Sequence, residues 1–269
     1  MNIAVIGSGA TAFGVLLKLK EKLGKSDIKI TILSKDLNFM NKIFSDYVND
    51  KKTKFGSNFN KGLHSKIRHN FGHTFGEIPI KNSDNLIYDV PFCGGLSDLW
   101  SGFAALPMVQ NLSKWGIKKN EIDPCYKNIA EKLNLSGEKS NLLDKENLLN
   151  TRPSAFVNSP VIKEHTLVAK LINKFSNNMI DERFQIYKNY VFLDTKENSP
   201  TKCINCQSCF SGCPKDSFFR PSKIISKWID NKYFYYLNEE VEQIKLKNDQ
   251  CEILAKSKNK LVFDKVFLC

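Results

Sequence analysis

Asn2-Ile3-Ala4-Val5-Ile6-Gly7-Ser8-Gly9-Ala10-Thr11-Ala12-Phe13-Gly14 decides how this chain begins to fold. A short apolar strand runs into a glycine-bracketed turn, and apolar residues then recur at helical spacing to about Leu23. Asp27 to Leu33, with isoleucines at alternate positions, reads as a second strand, so the opening is a βαβ unit with its glycines at the strand-to-helix turn. Gly7-x-Gly9-x-x-Ala12-x-Gly14 is a dinucleotide fingerprint with alanine in the third small position. The first glycine permits the tight turn, the second lets a pyrophosphate approach the backbone, and the helix N-terminus faces the anion. A plain turn that binds nothing is the alternative for a lone match of this kind. The acid expected at the end of the second strand is replaced by Ser34, with Asp36 two residues on, and a serine holds a ribose hydroxyl more weakly than a carboxylate does.

Farther along, residues 38 to about 90 are polar and loop-rich, and Cys93-Gly94-Gly95-Leu96-Ser97 opens a second glycine-rich turn. The pattern is helical from Pro107 to Gly137, with Asn120 to Pro124 marking a helix start, and again from about Ile162 to Phe175. Ser222 to Ile229 reads as a helix. Tyr233 to Leu237, Val241 to Leu246, Cys251 to Ala255 and Val262 to Leu268 read as strands.

Cys203-x2-Cys206-x2-Cys209-x3-Cys213, followed by Pro214, has the spacing with which bacterial ferredoxin segments wrap an iron–sulfur cluster. In two-cluster ferredoxins the fourth cysteine of such a run serves the other cluster, and no second run exists here. The fourth ligand is then Cys213 or a distant cysteine, or the cluster holds three irons. Zinc and inert thiols stay open as alternatives, although zinc sites usually use two separated pairs. His64, His69 and His73 are irregularly spaced in a polar stretch and read as solvated loop residues. Cys93, Cys125, Cys251 and Cys269 read as small buried hydrophobes.

At 269 residues, 42% apolar and 25% charged, the chain has the composition of a globular protein with one large domain or two. Its net charge of +12 is spread over lysines along the whole length, without a compact basic patch, so it is weak support for nucleic acid or an anionic membrane surface. Anionic substrates or cofactors fit as well, and no nucleic-acid partner is expected. No run of eighteen apolar residues spans a membrane. Met1 to Leu19 is apolar but lacks a basic leader, so a cytoplasmic location is expected, where eight cysteines serve as metal ligands or buried thiols rather than disulfides. The absence of a Gly-x-Ser-x-Gly elbow leaves serine hydrolysis without support.

The chain resembles the glucose–methanol–choline (GMC) oxidoreductases, in particular a bacterial branch associated with polysaccharide biosynthesis. Gly7-Ser8-Gly9 resembles their FAD-binding turn, and Phe55-Gly56-Ser57 with Gly94-Gly95-Leu96-Ser97-Asp98-Leu99-Trp100-Ser101-Gly102 resembles the branch signature, Ser101 being a departure. Trp115, Asp123-Pro124 and Tyr126 match the stretch that follows it, and the cysteine run falls where some relatives carry an iron–sulfur relay. The resemblance implies that Gly94, Gly95 and Ser97 contact FAD, and that the backbone of Val241 holds adenine. Asp264 to Cys269 is similar to the strand that runs into the turn closing over the flavin. It covers the N-terminal half of a typical member, so the C-terminal histidine that acts as base lies outside it and the catalytic residue stays unknown.

The fold expected is α/β, a discontinuous FAD-binding Rossmann-like domain over 1–105 and 215–269 with a mainly helical insertion over 106–214 that carries the cysteine loop. The function implied is an FAD-dependent dehydrogenase of alcohol groups on a sugar-like small molecule. Electrons would leave through the cluster to an external acceptor. The alternative is a non-catalytic FAD/iron–sulfur subunit or a split-gene fragment that needs a partner chain.

Overall fold

The computed structural model describes residues 1–23, 27–37, 76–79, 86–89, 93–98, 103–104, 112, 114–133, 135–136, 190–204, 213 and 215–269. It is a mixed α/β structure built around a parallel sheet, and it divides into two compact units, Met1–Trp100 with Arg220–Cys269, and Ser101–Phe219. His64, His69, His73 and the helix read over 162–175 lie outside the described residues.

In the first unit, β1 (Asn2–Ile6), α1 (Ala10–Leu23) and β2 (Lys29–Ser34) form the βαβ opening. β1 pairs in parallel with β2, Ile3 opposite Ile30 and Val5 opposite Ile32. β8 (Tyr235–Asn238) joins the far side of β2, and β12 (Lys265–Leu268) joins the free side of β1, which gives the order β12-β1-β2-β8 with every pairing parallel. Ile3, Ala4 and Val5 are buried together with Ile30, Ile32 and Leu33. Such an unbroken buried run, rather than an alternating one, is what a parallel sheet covered on both faces requires. α3 (Pro221–Asp230) starts with proline in its first turn, where the missing N–H costs nothing, and stacks Trp228 on Phe13 of α1 with ring centroids 5.3 Å apart.

Between β8 and β12 lies an antiparallel meander: β9 (Val241–Lys247), β10 (Gln250–Ala255) and β11 (Lys260–Phe263). Ile253 and Phe263 of the meander join Ala4 and Leu33 of the parallel sheet in one core cluster, with Val241, Ile6 and Val266 packed at its side. The run Val262 to Leu268, expected as one strand, is two strands in two different sheets. The break is at Asp264, which donates its N–H to the Asn2 carbonyl (2.9 Å) and accepts the Asn2 N–H on its carboxylate (2.6 Å). These bonds tie the chain to the start of β1 and redirect it into the parallel sheet. Two further strands, β3 (Gly76–Pro79) and β4 (Leu86–Asp89), pair antiparallel.

The described part of the second unit contains one long helix, α2 (Lys119–Lys132), and a small antiparallel sheet of order β5-β7-β6, from β5 (Phe103–Ala104), β6 (Leu135–Ser136) and β7 (Tyr190–Phe192). At the start of α2 the Lys118 N–H donates to the Glu121 carboxylate at 3.1 Å, and Pro124 stands one turn inside the helix. Among the described residues no helix is long and apolar enough to cross a membrane.

Candidate functional site

The strongest convergence of motif residues is at the carboxyl end of β1. Gly7 adopts φ +104°, and its N–H donates to the Leu33 carbonyl at 2.9 Å. A Cβ at this position would overlap the carbonyl oxygen of Cys269, at the end of β12, so glycine is required on both conformational and steric grounds. Gly9 starts α1, its carbonyl accepting the Phe13 N–H at 2.9 Å. A Cβ there would point at the second glycine turn, 3.8 Å from the Gly94 carbonyl oxygen and 3.8 Å from Ser97 Oγ. Ala12 is fully buried, which explains a small residue in that place. Gly14, by contrast, has open space around it.

The second turn, Cys93 to Asp98, docks on the first. The Gly94 N–H donates to Ser8 Oγ at 3.3 Å, and Ser97 Oγ accepts the Ala10 N–H at 3.1 Å. A helix leaves its first-turn amides without intrahelical partners, and here Ser97 takes one of them. Gly94 has φ +93° and Gly95 φ +54°, both in the region that favours glycine. Cys93 is fully buried beneath this turn, and burial pushes its thiol up to about 12, against a hydrogen bond with Ser8 that acts the other way.

At the end of β2, Ser34 Oγ is 2.6 Å from Ser8 Oγ, so the hydroxyl read as a ribose ligand is already engaged with the glycine turn. Its carbonyl accepts the hydroxyl of Tyr236 at 2.6 Å, and that hydroxyl in turn accepts the Leu37 N–H at 3.0 Å. Burial holds the Tyr236 hydroxyl protonated well above the usual phenol range. Asp36 sits at φ +48° with its N–H on Asn238 Oδ1 at 3.1 Å. It lines an open cavity of about 380 Å³ with Lys35, Asn238, Glu239, Glu240, Lys256 and Ser257. Glu240 lies between Lys35 and Lys256, and the hydrogen bond from Lys35 holds its carboxyl below the usual range. Of the two residues read for a ribose, Asp36 faces this cavity. Val241 follows Glu240 directly and is packed against the core at the head of β9.

Gly7, Gly9, Gly94, Gly95, Ser97 and Ser34 thus come together at one end of the sheet. Three more buried residues join this assembly without a role read from the sequence: Asp98, Arg220 and Ser222. Asp98 accepts the Ser222 N–H at 3.2 Å and the Ser222 hydroxyl, with Arg220 Nη1 at 3.9 Å. The signal available in the sequence is Arg220-Pro221-Ser222 at a helix start, which says nothing of a partner more than a hundred residues away.

In the second unit, Cys203 and Cys213 are described, whereas Cys206 and Cys209 lie outside the described residues. The Cys203 N–H donates to the Asp194 carbonyl (2.8 Å), the Asp194 N–H to the Ser217 carbonyl (2.8 Å), and the Ser217 N–H to Cys213 Sγ (3.3 Å). Asp194 therefore joins the two ends of the cysteine segment. Although burial opposes it, hydrogen bonds from Ser199, Thr201 and the Lys196 N–H hold this carboxyl below the usual range. An N–H aimed at Cys213 Sγ suits a thiolate ligand. Among the described residues no three metal-binding side chains gather around one point.

No protein-family model and no curated protein matches the chain. Among solved structures it is similar to a thermophilic tryptophan halogenase from Streptomycin violaceusniger, at 11% identity and a TM-score of 0.29, over 100% of this chain and 44% of that one. The chain spans less than half the length of that halogenase.

Proposed function

We propose that the chain holds FAD at the carboxyl ends of β1, β2 and β12 and is the flavin-binding part of an oxidoreductase acting on alcohol groups of a sugar-like small molecule. One observation carries the reading. β1 has β2 on one side and β12 on the other, so the strand order reverses at β1, and ligands of open α/β sheets bind in the crevice at such a switch point. The glycine turn that needs positive φ stands at that end of β1, under a second glycine turn.

The residues present suit the group. The first-turn amides of α1 at Thr11 and Ala12 offer donors to a pyrophosphate, that of Ala10 being taken by Ser97, with Gly7 and Gly9 keeping the approach clear of side chains. Gly94, Gly95 and Ser97 would flank it from the second turn. Asp36 would take the ribose at the cavity, and the Val241 backbone would meet the adenine. The chemistry the flavin supplies when bound is acceptance of hydride and release of electrons singly. The protein's share is to orient it, exclude water and hold the substrate hydroxyl near a base, a residue that stays unassigned. Cys203, Cys206, Cys209 and Cys213 would hold an iron–sulfur cluster as the exit for electrons. A doubly wound FAD domain with an insertion bearing the cysteine loop is the architecture this reading implies.

The test is titration of the purified full chain with FAD and with ADP, beside Gly9→Asp. Binding on the order of micromolar, competition between FAD and ADP, and loss in Gly9→Asp are expected. Binding of neither ligand, or binding that Gly9→Asp leaves unchanged, removes the reading. Iron and sulfide analysis after anaerobic reconstitution decides the cluster separately. Bound zinc in place of iron would remove the relay and leave the flavin site standing.

A further inference from the structure

The geometry points to Asp98 as the positioning residue that carries the second glycine turn to the N-terminus of α1. Its side chain is fully shielded from solvent, and a buried carboxylate is tolerated only where donors surround it. The donors come from the start of α3, the Ser222 N–H at 3.2 Å and the Ser222 hydroxyl, with the Arg220 guanidinium as counter-charge at 3.9 Å. The residue preceding α3, Arg220, makes no side-chain cap of its own. Asp98 therefore supplies from outside the acceptor that a helix N-terminus normally takes from its own N-cap residue. A negative charge there also meets the positive end of the helix dipole.

The same carboxylate folds back over its own turn. A Cβ on Gly94 would overlap it, so Gly94 is glycine partly because Asp98 occupies the space. From that turn, the Gly94 N–H reaches Ser8 Oγ and Ser97 Oγ takes the Ala10 N–H. One carboxylate thus fastens the turn to α3, and the turn fastens to the first residues of α1. Asp98 acts through Gly94 and Ser97 and touches no ligand position itself. Its effect on dinucleotide binding rests on the FAD reading above, whereas its hold on the turn does not.

The experiment compares the full-length wild type with Asp98→Asn, which keeps the shape but loses the charge and one acceptor. Ser222→Ala, which keeps the carboxylate and removes one donor, is the milder companion. Amide hydrogen exchange of the ligand-free protein is read first. In Asp98→Asn the amides of Gly94 and Ala10 should exchange about tenfold faster or more, while those of β10 and β11 keep wild-type rates, as loss of a charge-assisted bond predicts. Ser222→Ala should shift the same amides by a smaller factor. FAD and ADP should both bind about tenfold more weakly to Asp98→Asn. Unchanged exchange at Gly94 and Ala10, or a uniform rise across the unit, overturns the inference. If Asp98→Asn does not fold, the same local-against-uniform comparison is made on Ser222→Ala. A wild type that binds neither FAD nor ADP sinks the flavin reading alone, because the exchange pattern still decides what Asp98 does.

Discussion

The two glycine turns at the head of the parallel sheet are built by different means. The Gly7 turn is written in backbone: its N–H goes to the Leu33 carbonyl, and the atom that forbids a side chain is the carbonyl oxygen of Cys269. The Cys93–Asp98 turn is written in side chains: Ser8 receives its Gly94 N–H, Ser97 reaches out to Ala10, and the group that forbids a side chain on Gly94 is the Asp98 carboxylate. A backbone-built turn depends on strands that the rest of the sheet already fixes. A side-chain-built turn depends on a few polar contacts and loosens when one is removed. The first is therefore expected to be the more brittle to substitution, and the second the more adjustable.

Gly7→Ala tests the brittle end. A methyl group at φ +104° meets the backbone carbonyl of Cys269, a residue just past β12 whose N–H is held by the Ile6 carbonyl at 2.9 Å. Destabilisation on the order of 4 kcal/mol is expected in urea unfolding. A loss under about 1 kcal/mol would show that β12 gives way easily and that the backbone is not the constraint. Gly94→Ala should cost less, about 3 kcal/mol, because a side chain is what it meets. The two differ most clearly when Asp98→Ala is added. It should relieve Gly94→Ala by about 1 kcal/mol in a double-mutant cycle and leave the cost of Gly7→Ala unchanged. Equal relief of both would erase the distinction.

The same contrast explains what was legible in the sequence. The β1-α1-β2 opening, and β8, β9 and β10, stood at or within two residues of where apolar pattern puts them, because periodicity is a local property. Val262 to Leu268 carries an equally good strand pattern, yet it is cut at Asp264 by bonds to Asn2, which lies 262 residues away in the chain. The pairing of Asp98 with Ser222 leaves no trace in the sequence, because Ser222 lies 124 residues on. Ser34 ends β2 as the strand pattern requires, but its engagement by Ser8 depends on how β1 and β2 pair. The strands β5, β6 and β7 are two or three residues long, too short for any period to show. For the cysteine segment, spacing names the ligand types. The tie through Asp194 between Cys203 and Cys213 is tertiary and has no sequence signature.

Cys93 lets the side-chain-built turn be probed by pH. Its thiol is pushed from 9.0 to about 12 by burial, so the unfolded chain loses this proton first as the solution becomes alkaline. Between these values the native state binds more protons than the unfolded one, and stability falls as pH rises. The contribution is intact below about pH 9 and is lost at about 1.4 kcal/mol per unit above it. Urea unfolding of wild type and Cys93→Ala across alkaline pH isolates this slope, since every other ionisable group is common to both. Identical slopes would mean that the thiol is reachable by water and that the turn above it is open.

The smallest effect is expected at Gly14, and its sign is the point. It shares the fingerprint with Gly7, but it lies within α1 and a Cβ there would meet nothing. Glycine inside a helix costs backbone entropy without a compensating fit, so Gly14→Ala should stabilise the chain by about 0.5–1 kcal/mol. FAD affinity should stay unchanged if the fingerprint's requirement ends with the turn itself. A stabilised protein with wild-type binding would confine the backbone constraint to Gly7 and Gly9. A loss of binding in a stably folded Gly14→Ala would instead mean that a group absent from the free protein packs against this face of α1. The brittle region would then extend a full turn farther into the helix.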